Sequence, residues 1–269
     1  MATLATTSST LWRQRLGKLG AALALAILGA SVLLRLATEL TPEAHSVLPP
    51  ALEQATRWLH RICASTVALL ALGVVLRYRL DRATGTAQLQ PTLWIVATTV
   101  LLALIGPLTP GYRVAAITVL NVSLGVLLLM AFWWLRESAA SDGAQRGPMG
   151  GLARGTLIAF IAHIATGAGA SACQMLGLHW PVWLHLASAV LCLALLAALL
   201  IEKRRSGARA QAGKRLEYLL FTQLALGAVL LWLEQRPLGL SFAHAMLTPF
   251  LAMALVSLIQ RDAPGAAPR

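Results

Sequence analysis

Apolar residues fall into eight long stretches along the chain, separated by short polar segments. Each stretch has about 18 to 22 residues, which at ~1.5 Å per residue is enough to cross ~30 Å of hydrocarbon. Leu and Ala dominate without strand-like alternation, and a helix satisfies its own backbone inside a membrane. The pattern predicts an all-α polytopic membrane protein of eight helices, at 19–38, 58–76, 91–108, 114–135, 155–175, 181–201, 216–233 and 240–259.

The distribution of basic residues predicts the orientation of these helices. Hydrophobic residues make up 58% of the chain and charged residues 12%, with a net charge of +12. Assigning alternate loops to one side places 17 of the 22 Lys and Arg on the side of the N-terminus, and the positive-inside rule makes that side cytoplasmic. Both termini are then cytoplasmic. The chain has no soluble basic face for nucleic acid, so anionic membrane lipids are the expected partners of these loops.

An internal repeat divides the chain into two halves. The tripeptide Trp-Leu-His ends at His60 and again at His185, and a basic cluster follows 17 and 18 residues later. A segment rich in Gly, Ala and Ser lies between the copies. The repeat predicts two four-helix bundles of the same orientation, at 1–137 and 155–269, joined by a cytoplasmic linker at 138–154.

Histidines near the helix starts are candidate ligands for heme. His185 and His244 lie about five residues into predicted helices 6 and 8, so both imidazoles have similar depth in one bundle and can ligate the two axial positions of a heme iron. In the first half His60 corresponds to His185, whereas Asn121 takes the place of His244. No CxxCH motif occurs, so a heme would be bound without covalent links.

Two other residue types inside the predicted helices are interpreted as packing residues. His163 lies in helix 5 and is expected to be a satisfied core histidine beside Gly167 and Gly169. The chain has three cysteines, and all of them fall within predicted helices, where small apolar packing is the expected role.

Charged residues near the predicted outer surface are candidates for contacts with a heme. Arg61 and Arg35 could bind propionates through bidentate guanidinium contacts, although snorkelling to the interface or a pair between Arg35 and Glu39 would also account for them. Glu53 lies seven residues before His60. If helix 2 begins early, this carboxylate is on the same face as His60 and could carry protons, with a solvated loop acid as the alternative.

Several short motifs, taken together in their order and depth, resemble the heme A synthase family. The resemblance covers about residues 15–260. It is carried by His60-Arg61, by the glycine-containing helix ends at 104–106 and 223–227, by the small-residue run at 166–170, and by His185 and His244.

The resemblance implies a fold, an activity and a set of cofactors. Members have eight helices in two halves, act in cytochrome oxidase assembly, and bind a b-type heme between two histidines of the second half, which match His185 and His244. The first half takes heme O as substrate and oxidises a ring methyl to a formyl group by successive hydroxylations. By this resemblance we expect a bacterial inner-membrane protein with its heme sites toward the outer face, and heme O synthase or cytochrome oxidase assembly factors as partners.

The chain departs from the family pattern in its first half. Asn121 stands where the family has its helix-4 histidine, and Arg57 stands where the family has a glutamate three residues before the helix-2 histidine. One interpretation is a divergent synthase in which Glu53 or Glu39 takes the acid role. Another is a non-catalytic heme-binding or electron-transfer protein, and a third is a transporter built on parallel repeats.

Overall fold

The computed structural model describes residues 2–39, 47–80, 88–108, 114–139, 149–174, 178, 180–205, 210–233 and 237–260. These residues form eight α-helices, and no strand occurs among them. The helices are α1 (Ala2–Glu39), α2 (Pro50–Leu80), α3 (Leu89–Ile105), α4 (Ala115–Ser138), α5 (Gly151–Gln174), α6 (Trp180–Arg205), α7 (Ala210–Trp232) and α8 (Leu238–Gln260), with a 3₁₀ turn at Gly106–Leu108 after α3.

All eight predicted helices are confirmed, and each is long and apolar enough to cross a membrane. Many large apolar side chains lie on the outside of the bundle, such as Leu69 at 71% exposed and Trp183 at 73%. Exposed apolar surface of this extent needs a covering, which hydrocarbon provides. The protein is therefore an all-α multi-pass membrane protein.

Several helices extend beyond the predicted apolar stretches. Helix α2 begins at Pro50, eight residues before the predicted start, with Pro50 and Glu53 in its first turn. Both residues suit a helix N-terminus, because proline lacks the amide proton left unpaired there and a carboxylate complements the helix dipole. His60 is therefore the eleventh residue of α2 rather than part of its first turn. Hydropathy placed the start too late because a helix can begin before its apolar stretch does.

The predicted linker is shorter than expected. Helix α4 continues through Ser138 and α5 begins at Gly151, so both ends of the segment 138–154 are helical. Most of its remaining residues, 140–148, lie outside the described residues.

In the first half, α1 packs closely against α4 through glycines. A Cβ added to Gly17 would come within 2.7 Å of the Arg136 backbone nitrogen, and one added to Gly20 would overlap the ring of Phe132. Leu28 makes the reciprocal contact, because it lies against Gly125 of α4. The first half closes into a ring in which α1 packs on α2, α2 on α3, α3 on α4 and α4 on α1.

The second half has a different packing arrangement. Helix α5 packs on α6 and α7 on α8, as in the first half, but α5 and α8 make no contact comparable with that between α1 and α4. Helix α8 packs instead on α4 and α1, and α5 packs on α4. One continuous core therefore joins the halves, with Leu129 and Phe132 of α4 and Leu255 of α8 fully buried in it.

Polar contacts also cross between the halves, at the end of the bundle where α4 and α8 finish. Glu137 is 2% exposed and its Oε1 accepts hydrogen bonds from Arg136 at 2.5 Å and from the Ser257 hydroxyl at 3.0 Å. The Trp133 indole donates to Ser257 Oγ at 2.7 Å. Arg13 is buried beside this group and donates to the carbonyl of Ser138 at 3.2 Å. This network fixes α8 to α4.

Candidate functional site

The four helices of the first half line an open cavity of about 880 Å³. Ligand pockets in proteins have volumes of ~300–1,000 Å³, so the cavity can hold a large organic molecule. Most of its wall is apolar or small, and its polar residues cluster on α1, α2 and α4. The polar residues lining it are Ser31, Arg35, Thr38, Glu53, Arg57, His60, Arg61, Ser65, Thr99, Thr118 and Asn121.

His60 and Asn121 line this same cavity, as the repeat predicted for the first-half site. Nδ1 of His60 lies 3.1 Å from the hydroxyl of Ser31 on α1. A hydrogen bond at one ring nitrogen fixes the orientation of an imidazole and leaves Nε2 as the coordinating atom. The cavity therefore has one histidine suited to bind iron, and an asparagine, a poor iron ligand, at the position equivalent to His244.

Three arginines and one carboxylate also line the cavity, and they include the predicted propionate contacts. Arg35 is 7% exposed although it lies in the membrane-spanning part of α1. Arg57 donates to Oε1 of Glu53 through Nη2 at 2.6 Å and through Nε at 3.0 Å. The guanidinium of Arg61 lies 5.6 Å from the ring centroid of Trp58. Among the described residues that line the cavity, guanidinium groups outnumber carboxylates, which suits a carboxylate-bearing ligand.

Of the two predicted proton carriers, Glu53 and Glu39, the structure describes the side chain of Glu53 only. Helix α2 does begin early, so Glu53 reaches the cavity on the same side as His60, as expected for an early start. Its carboxylate is held in an ion pair with Arg57. The side chain of Glu39, including its predicted pair with Arg35, lies outside the described residues.

In the second half, His185 and His244 each lie against a glycine of a neighbouring helix. A Cβ added to Gly167 of α5 would be 2.9 Å from Cε1 of His185, and one added to Gly227 of α7 would be 3.2 Å from Cε1 of His244. A larger residue at either glycine would displace the ring. His185 and His244 are close enough to interact electrostatically, so the structure brings the predicted ligand pair into one region.

Two buried polar atoms, one on His244 and one on the neighbouring Gln223, make no hydrogen bond among the described residues. They are Nδ1 of His244 and Oε1 of Gln223. The Gln223 amide donates weakly to Nε2 of His244 at 3.4 Å and to the Thr248 hydroxyl at 3.3 Å. Buried polar atoms without a hydrogen bond are rare in proteins. A ligand bound at this site would change the surroundings of these two atoms and could provide partners for them. His185 and His244 are the side chains that would hold a heme in this half.

His163 has a hydrogen-bond partner, as expected of a satisfied core histidine, because its Nδ1 lies 3.0 Å from the Ser188 hydroxyl. Its ring also stacks on that of His185, with centroids 4.4 Å apart and an angle of 7° between the planes. The sequence did not indicate this stack. Helix spacing does not encode this contact, because it depends on the rotation of α5 relative to α6.

Several hydroxyl groups contact the histidines, and the sequence did not predict these contacts. Ser31 is close to His60, while Thr166 and Ser188 lie around His185 and His163. Serine and threonine are common in membrane helices. The only sign of these contacts in the sequence is spacing, because Thr166 lies three residues after His163 and Ser188 lies three residues after His185.

The described residues contain no group of three or more His, Cys, Asp or Glu side chains placed to hold a metal ion. A heme iron needs only two axial ligands from the protein, because the porphyrin supplies the other four. Cys63, Cys173 and Cys192 are free thiols within helices, and Cys63 and Cys192 are buried, in agreement with their predicted packing role.

Fold and site together define a multi-pass helical membrane protein with an open ligand cavity in one half and a group of histidines in the other. The chain matches no protein-family model, and no curated protein matches it significantly. The resemblance to heme A synthases therefore depends on the sequence motifs alone.

Proposed function

We propose that this protein is a membrane oxidoreductase of the heme A synthase type. In this proposal the first half binds heme O and oxidises one of its ring methyl groups toward a formyl group. The second half holds a b-type heme between His185 and His244. This oxidation takes one oxygen atom from water and releases four protons and four electrons, and the b-type heme, when bound, would carry those electrons to an external acceptor.

The main support for the proposal is the cavity of the first half. It is large, mostly apolar, and lined by one imidazole and three guanidinium groups. A heme has the matching chemistry, with a flat apolar ring, an iron that takes an imidazole, and two carboxylates that take arginines. The second half contributes the histidine pair seated on Gly167 and Gly227.

The residues of the first half have separate roles in this proposal. His60 binds the iron of the substrate through Nε2, while Ser31 holds its Nδ1. Arg35 and Arg61 bind the propionates. Asn121 leaves the opposite axial position of the substrate iron without a strong protein ligand, so that position is open for the reaction. Glu53 moves protons between the cavity and solvent, and Arg57 keeps its carboxylate directed along the cavity wall.

A second candidate function is a non-catalytic heme-binding or electron-transfer protein of cytochrome oxidase assembly. Two observations favour it. Asn121 replaces the second histidine, and Glu53, which would serve as the acid, is neutralised by Arg57. In this alternative only the second-half heme is retained.

The proposal includes a cellular setting. By the positive-inside rule, the ends at which α2, α4, α6 and α8 begin face outward, so both heme sites lie toward the outer side of a bacterial cytoplasmic membrane. Heme O synthase is the proposed supplier of substrate, and cytochrome oxidase assembly factors are the proposed receivers of product.

Heme extraction tests the function and separates the two candidates. The protein is produced with a heme O synthase in cells that make no heme A, and the extracted hemes are separated by chromatography. A synthase yields heme A or its hydroxylated intermediate, and the Asn121→Leu variant retains this product because Asn121 is not a ligand in the proposal. Heme b without any oxidised heme O supports the electron-transfer candidate, and a protein without heme contradicts both.

A further inference from the structure

We propose that His163 is a positioning residue for His185: its stacked ring sets the plane in which His185 presents its coordinating nitrogen to iron. The proposal rests on the proposed function, because it assigns His185 as a heme ligand. The two rings lie 4.4 Å apart and within 7° of parallel, so the face of His185 is covered by a second imidazole.

A set of hydroxyl groups ties the two imidazoles to each other. Nδ1 of His163 lies 3.0 Å from Ser188 Oγ, which lies 2.7 Å from Thr166 Oγ1, and Thr166 Oγ1 lies 3.4 Å from Nδ1 of His185. Each hydroxyl also lies within hydrogen-bond distance of a backbone carbonyl, Ser188 at 2.8 Å from that of His185 and Thr166 at 2.9 Å from that of His163. Because a hydroxyl has a single proton, each of them donates to one of these neighbours at a time. The Nδ1 edges of the two rings are thus linked through two hydroxyls, and Nε2 is the nitrogen of His185 that the proposal assigns to iron.

Helix α5 restrains His185 in two directions at once. His163 and Gly167 are one turn apart, so they share a face of α5. His163 covers the face of the His185 ring, while Gly167 allows its Cε1 edge to approach the α5 backbone. Rotation of the ring about its bond to the chain would break the stack or collide with α5. The two contacts therefore define one ring plane.

An imidazole at this position needs a reason, since a polar side chain inside a membrane bundle is costly to bury. A leucine or phenylalanine would fill the same volume without a polar atom. His163 combines a flat ring for stacking with an Nδ1 that meets the Ser188 hydroxyl. The first half lacks this feature, because the residues of α1 that line its cavity beside His60 include Ser31 and no second imidazole.

The plane of an axial imidazole has a direct spectroscopic consequence. In a ferric low-spin heme with two imidazole ligands, the angle between the ligand planes sets the largest g value of the electron paramagnetic resonance spectrum. Loss of the stack lets His185 rotate. The g value then shifts while iron remains ligated by the same two residues.

The test compares purified, detergent-solubilised variants by heme content and by this spectrum. His163→Ala removes the stack and the hydrogen bond, His163→Gln keeps a polar group without an aromatic face, and His163→Phe keeps a flat ring without the hydrogen bond. We expect all three to retain the heme content of the wild type. We expect the largest g value to shift or broaden in the Ala and Gln variants, well beyond the spread between wild-type preparations, and to stay near the wild type in the Phe variant.

Three outcomes would overturn the proposal in different ways. Spectra of the Ala and Gln variants that superimpose on the wild type would show that His163 does not set the ring plane. Conversion to a high-spin heme in all three variants would make His163 itself a ligand. A wild-type protein without low-spin heme would instead remove the proposed function on which this inference depends.

Discussion

Nδ1 of His60 lies 3.1 Å from the hydroxyl of Ser31, one helix away in the same half. The counterpart in the second half is His185, whose Nδ1 lies 3.4 Å from the Thr166 hydroxyl. In both halves the histidine of the Trp-Leu-His motif is on the second helix and the hydroxyl is on the first. The two contacts occupy corresponding helices of the predicted repeat, and in each case Nε2 is the nitrogen that the proposal assigns to a ligand.

The halves differ in how much space surrounds these histidines. Around His60 there is a cavity of about 880 Å³, whereas around His185 the ring is held between His163 and Gly167. An open cavity suits a molecule that enters and leaves, and a tightly held ligand suits a resident cofactor. The asymmetry agrees with the proposed division between substrate and cofactor.

Introducing a histidine at the Asn121 position should convert the first-half cavity into a second closed heme site. In Asn121→His, a second imidazole joins His60, so a bound heme gains two axial ligands. We expect low-spin heme to rise from about one to about two per chain, with turnover of heme O falling as the open position is lost. Heme content and the visible spectrum measure this effect, with Asn121→Leu as the control. An unchanged low-spin content would place Asn121 away from the iron.

Removing the charge of Glu53 should slow the reaction while leaving stability nearly unchanged. The Arg57–Glu53 pair is within one helix, and the Arg57 side chain is 55% exposed, so its contribution to stability is at most ~1 kcal/mol. A general acid or base contributes ~10²–10⁴-fold to rate. We therefore expect Glu53→Gln to lower turnover at least ~100-fold with normal heme content.

A matched control for Glu53 is available at the other end of the bundle. Glu217 pairs with Arg204 at 2.5 Å between α7 and α6, in a similarly exposed setting. Glu217→Gln should retain wild-type turnover. Equal losses in both variants would mean that the effect comes from altered charge or folding and that Glu53 has no specific role.

The glycine contact between α1 and α4 should be sensitive to a single methyl group. In Gly20→Ala the new Cβ would overlap the ring of Phe132, which is fully buried and has no space to move. Overpacking of this kind costs ~1–3 kcal/mol. Thermal unfolding in detergent should show a lower midpoint.

Gly73 of α2 provides the comparison, because a Cβ there would meet no atom within 4 Å. Gly73→Ala should be neutral or stabilise the helix by up to ~1 kcal/mol. If both substitutions have the same effect on the unfolding midpoint, the close packing of α1 on α4 is not important for stability.

Hydropathy predicted the eight helices, because length and apolar content are properties of each segment alone. It placed the start of α2 eight residues late, since Pro50 and Glu53 form a helix start outside the apolar stretch. The unequal packing of the halves was not predictable either. It arises from specific contacts such as Leu28 against Gly125, which depend on how two distant helices meet.

The sequence also indicated which candidate residues lie near one another. His60, Asn121, Arg35, Arg61 and Glu53 do line one cavity, because their positions near the same ends of neighbouring helices fixed their depth. The stack of His163 on His185 was missed, since depth says nothing about rotation around the helix axis.

The most direct test of the account is a reduced-minus-oxidised visible spectrum of the purified protein and three variants. The wild type should show a low-spin b-type heme. His185→Ala and His244→Ala should each lose that signal, because each removes one of the two axial ligands, while His60→Ala should keep it and lose only the oxidation of heme O. A wild type without heme, or loss of the b-type signal in His60→Ala alone, would contradict the assignment of the two halves.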